Sequence, residues 1–153
     1  MSASAALVQR RRLDRLRHLG VGLSALDDAM TRALVQRFGE AFVDPAHHAA
    51  FAAALARTRG LDYDRFLRPD CVRLPPLGGS LPWLGAGSPD ARCYRLEREA
   101  WLPAVELQVR SLDETWAASW PGVFVSFHAA RAVVVTLDYE RIHCELRQRA
   151  AYR

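Results

Sequence analysis

Near residue 74 the spacing of apolar side chains changes, and this change limits the folds open to the chain more than any other feature. Before it, apolar residues recur at helical intervals; after it, they alternate. A period near 3.6 marks a helix with one buried face, and a period of two marks a strand with one buried face. Helices followed by strands predict an α+β fold: about three N-terminal helices packed on one face of a C-terminal antiparallel sheet of three to five strands. A single domain over 1–153 suffices, with a helical half at 1–60, a connecting loop at 74–90 and mainly strands over 93–147.

The helical half divides into three segments. Residues 4–19 start at Ser4 and stop at Gly20, with Val8, Leu13, Leu16 and Leu19 on a broad face that Arg12 interrupts. Residues 25–42 carry Leu26, Met30, Leu34, Phe38 and Phe42 at every fourth position, with Ser24 as the expected N-cap and Asp27 its capping-box partner. Residues 45–59 have Asp44 as cap, Pro45 at the first helical position and Gly60 after the end. The apolar face of this third segment is thin, with Phe51 and Leu55 among many alanines, so another element can approach it closely. A short turn over 61–70 points Tyr63, Phe66 and Leu67 inward.

In the second half, Val105, Leu107 and Val109 alternate with Glu106 and Gln108, which predicts a half-buried strand. Residues 123–138 read as a hairpin turning at 129–131. That turn sets Phe127 opposite Val133, Val125 opposite Val135 and Val123 opposite Leu137 as the buried face. Phe124, Ser126, His128, Val134 and Thr136 then face outward. Residues 141–147 read as a strand, against a competing helical stripe of Tyr139, Ile142, His143 and Leu146; residues 93–99 suggest one more strand.

Half the 153 residues are hydrophobic and a quarter are charged, as in a globular protein. No apolar run reaches the roughly 20 residues of a membrane span, and the first 20 residues lack the order of a secretory signal, so a cytoplasmic protein is expected. Three widely separated cysteines without CxxC spacing fit reduced thiols rather than a disulfide framework. All 21 basic residues are arginine, a usage that reads as GC-rich, bacterial-type coding bias and weakens the inference from arginine content to nucleic acid. The whole excess of +4 lies in residues 1–20.

No residue set carries a specific catalytic, metal or cofactor signature, and none is assigned. Alternation puts His143 and Cys144 on opposite faces, which keeps them from one zinc ion. His47 and His48 diverge by about 100° on a helix. Cys71 or Cys93 pairing with His128 as a nucleophile needs a contact that spacing cannot show. Aromatic and apolar residues in segments that ought to be wet are the stronger signal: Leu77, Leu81, Trp83 and Leu84 in the loop, and Trp116 and Trp120 four apart before Pro121. With Phe124, His128 and Arg131 they form the expected partner surface of a non-enzymatic protein-binding module, in the manner of an immunity-type toxin inhibitor or a dedicated chaperone or adaptor. The partner is then another protein, a toxin or effector among the options, and self-association stays open. One alternative is a small-ligand-binding protein or enzyme using the helix–sheet cleft, with loop 74–90 as lid. A further alternative is nucleic-acid binding through Arg10, Arg11, Arg12, Arg15 and Arg17.

Overall fold

A computed structural model describes residues 3–18, 23–57, 60–74, 92–99, 102–108, 121–127 and 130–146. The helices are α1 (Ala3–His18), α2 (Asp28–Phe42) and α3 (His48–Arg57), with 3-10 turns at Pro45–His47 and Tyr63–Arg65. The strands are β1 (Leu23–Ala25), β2 (Val72–Leu74), β3 (Arg92–Leu96), β4 (Val105–Gln108), β5 (Gly122–Ser126), β6 (Arg131–Val135) and β7 (Arg141–Glu145). They form one sheet in the order β1-β4-β3-β5-β6-β7-β2, every neighbouring pair antiparallel. This is the expected α+β arrangement, with seven strands rather than three to five. The two extra strands are the three-residue edges β1 and β2, too short to show a period.

β1 also corrects the start of the second helix. Ser24 does not cap it, because Ser24 is paired with Glu106 in the sheet. Asp27 is the cap, and its carboxylate accepts from the Met30 amide at 2.7 Å. The four-residue repeat drifts by about 40° per step around a helix of 3.6 residues per turn. Phe38 and Phe42 are therefore buried, Leu34 is half-buried and Met30 is 50% exposed. The α3 region begins as expected, with the Asp44 carboxylate accepting from the Ala46 amide at 3.0 Å and Pro45 opening the first turn.

The core lies between the helices and one sheet face. Phe38, Phe42, Phe51 and Tyr63 meet Leu96, Val123, Val125, Ala132, Val134, Ile142 and Cys144. The rings interlock: Phe38 meets Tyr63 edge-on at 5.3 Å, and Phe51 meets Phe66 at 5.6 Å. Arg37 lies over the Phe127 ring at 4.1 Å, closing one side of this layer.

The β5–β6 register differs from the expected one. Val123 pairs with Val134, Phe124 with Val133 and Val125 with Ala132. The shift moves Val133 and Val135 to the side of Phe124 and Ser126, and Val134 to the core. Ala130, at φ 54°, lets the turn close from Ser126 to Arg131. The hydrophobic pattern could not select the register because every residue from Gly122 to Ser126 and from Ala132 to Val135 is buried. Strands covered on both faces lose their alternation. For the same reason the expected outer face is not outer at all: Phe124 and Ser126 are both 0% exposed.

Candidate functional site

Two places concentrate chemistry among the described residues: a buried charge cluster on the second sheet face and an open groove between α2 and α3. The cluster is built on β3. Arg95 and Glu97, two apart on an extended chain, point to the same side. The Arg95 guanidinium is 0% exposed, holds Glu97 through two bonds of 3.2 Å, donates to the Pro121 carbonyl, and lies over the Phe124 ring at 4.6 Å. Gly122, at φ 143°, makes room: a Cβ there would overlap the guanidinium. Glu97 and Glu99 also receive Arg12 from α1, the latter at 3.1 Å. Burial pulls the Arg95 pKa down and the charge of Glu97 opposes it. With its donors engaged and no solvent access, Arg95 ties the second sheet face together, while Glu97 and Glu99 fasten α1 to it through Arg12. Arg95 does not present a charge to a ligand.

This geometry bears on the basic first helix. Arg10 and Arg11 are exposed, Arg12 is committed to Glu97 and Glu99, and Arg15 also has a partner. The Arg17 side chain lies outside the described residues. The five arginines therefore do not form one free basic edge.

The groove is different. It encloses about 630 Å³ between α2 and α3. Val35, Phe51, Ala52, Leu55 and Ala56 give it an apolar floor and wall, and Arg32, Gln36, Glu40 and His48 stand around it. Its origin is local. At Gly39 the helices nearly touch, since a Cβ there would lie 2.8 Å from the Phe51 ring. Beyond that point α3 offers alanines where a larger residue would have filled the gap. Gln36 donates to Glu40 across 3.4 Å, and the His48 Nε2 donates to the Val43 carbonyl at 3.2 Å, which places the proton on that nitrogen. Among the described residues, the space between helices and sheet shows a much smaller cavity. A cavity lined by Tyr63, Leu96, Leu102 and Ala104 holds about 10 Å³, room for one water.

Of the expected partner surface, Leu77, Leu81, Trp83, Leu84, Trp116, Trp120 and His128 lie outside the described residues. Phe124 is buried beneath Arg95 and offers no surface. Arg131 stands at the start of β6 and pairs with Glu145 at 3.2 Å. The groove residues were missed; their one signal was the alanine-rich third helix.

The thiols and imidazoles separate as alternation required: Cys144 is in the core and His143 half-buried on the other side. No three His, Cys, Asp or Glu side chains converge on a metal position among the described residues. Burial pushes the Cys93 thiol up to about 12, which makes it a poor nucleophile. No helix among the described residues is long and apolar enough to cross a membrane. No protein-family model matches the chain, and neither a curated protein nor a solved structure shows a significant match to it.

Proposed function

We propose that the chain is a cytoplasmic protein-binding module whose α2–α3 groove receives one amphipathic helix of a partner protein. The observation that carries this reading is the groove itself, an apolar concavity bordered by exposed polar residues. Along α2 it runs from Arg32 to Glu40, about 12 Å at 1.5 Å per residue, so it suits two to three turns of a guest helix. The charges at its ends are opposite. A guest with an acidic residue near Arg32 and a basic residue near Glu40 is complementary to it. Toxin inhibition and chaperoning of one client are both functions such a surface can serve.

A second reading uses the same groove for a small apolar ligand, because its volume falls within the roughly 300–1,000 Å³ of small-molecule sites. One experiment addresses both. A displayed library of helical peptides is panned on the protein, and a metabolite library is screened by thermal shift, each with wild type and Ala52→Arg. Ala52 is exposed, so the substitution obstructs the groove without entering the core. Peptides carrying the acid–base polarity, with binding lost in Ala52→Arg, support the first reading. A stabilising metabolite that Ala52→Arg abolishes supports the second. Binding that ignores Ala52→Arg, or none at all, overturns both.

A further inference from the structure

We propose that Cys71 and Cys144 form a reversible redox pair, a dithiol that hydrogen peroxide converts to a disulfide stapling β2 to β7. The proposal does not depend on the groove. Its basis is register. β2 pairs antiparallel with β7 through Val72 opposite His143, Arg73 opposite Ile142 and Leu74 opposite Arg141. Cys71 immediately precedes β2 and Cys144 lies next along β7, so the same register continued by one step sets the two cysteines opposite each other. Opposed residues of antiparallel strands have Cα atoms about 4.5 or 5.5 Å apart, and both spacings lie in the range a disulfide spans.

Side-chain packing agrees with the backbone. Cys144 belongs to the buried core cluster and Cys71 packs against that same cluster, so both sulfurs point to one side of the sheet. Each thiol stands close enough to the other to shift its affinity for a proton. Both are free in this structure.

The two are also unequal in a way that suits sequential oxidation. Cys71 is half-buried at the end of the sheet, and hydrogen bonding from Cys144 lowers its pKa against the opposing effects of burial and Asp70. Cys144 is buried, and its shared hydrogen bond and burial hold its proton on. An accessible thiol with thiolate character beside a buried resolving thiol is the arrangement of a redox sensor. Cys93, fully buried on the other sheet face, stays outside the reaction.

The ionised Cys71 sulfur attacks one peroxide oxygen, the O–O bond breaks, and the departing hydroxide takes up a proton and leaves as water. Cys71 is then a sulfenic acid. The Cys144 sulfur attacks Cys71 Sγ, the S–O bond breaks and the S–S bond forms. The Cys144 proton leaves with the hydroxide as a second water. Two electrons have passed from the two thiols to the peroxide, and a dithiol reductant reverses the change.

The full chain is treated with hydrogen peroxide, denatured, and its thiols counted with a maleimide, with peptide mass spectrometry to place any bridge. The expected count falls from three to one, with a Cys71–Cys144 linked peptide that a dithiol reductant removes. Cys71→Ser is expected to keep both remaining thiols. In Cys144→Ala, Cys71 is expected to be trapped by dimedone as the sulfenic acid. Three surviving thiols in the wild type, a sulfinic Cys71 with Cys144 still free, or a bridge between two chains overturns the proposal; the wild-type count decides even if a variant fails to fold.

Discussion

Arg95 and Glu97 show how a single pair can organise one side of a sheet. An arginine with no solvent access is tolerable only where its donors and its charge are met. Here a carboxylate, a carbonyl and an aromatic face meet them. Glu97→Gln keeps the volume and removes the charge, leaving Arg95 buried without its counter-ion. The expected loss is about 3 kcal/mol of unfolding free energy in a urea titration. His143 supplies a second residue-scale expectation. Burial lowers its pKa below the ordinary 6.5, and the nearby Arg141 and Arg131 lower it further. As pH falls, the unfolded chain therefore takes up the proton first. The contribution of neutral His143 is whole above about pH 6.5 and is lost below it. Urea midpoints measured on both sides of that pH are expected to fall on acidification, and to fall less in His143→Gln. Neither pair partner nor direction was readable from the sequence. Arg95 looked like any arginine on an alternating strand, because the residues that bury it are distant in the chain.

At the scale of elements, Gly39 lets α2 approach Phe51 of α3 closely. Gly39→Ala would gain roughly 0.5–1 kcal/mol of helix propensity in an open helix. Here its Cβ would lie 2.8 Å from the buried Phe51 ring, and overpacking costs of about 1–3 kcal/mol win. The expected net effect is a destabilisation of about 1 kcal/mol, read as a lower urea midpoint. What the sequence revealed of the elements followed from length and period. The segments expected at 25–42, 45–59, 105–109 and 141–147 contain the observed elements 28–42, 48–57, 105–108 and 141–145, since each repeats its pattern more than once, although the first helix of these starts three residues late. β1 and β2 escaped because three residues hold no period. The β5–β6 register escaped because Val133, Val134 and Val135 are equally apolar and no Asn-Gly turn fixes the count. Phe124 does stand on the side away from the helices, as alternation placed it, and is buried because Arg95 covers it there.

For the whole molecule, the order of helices then strands was enough to reach the α+β class. The groove was not legible, because it arises from what α3 lacks and from where α2 stands, and a run of alanines names neither. The molecule joins a sheet buried at its centre on both faces, a helical layer on one of them, and a concavity left between two of those helices. The central claim is that this concavity binds a partner helix. The most direct measurement replaces exposed Ala52 with a photoreactive benzophenone residue in the native host, irradiates, and maps the cross-linked peptide by mass spectrometry. The account predicts one dominant partner, joined through an amphipathic helical segment, with the cross-link lost when Leu55→Glu or Gln36→Trp alters the groove. A partner recovered with equal yield when the same photoreactive residue stands at exposed Ala3 on α1, with no enrichment at Ala52, would contradict it.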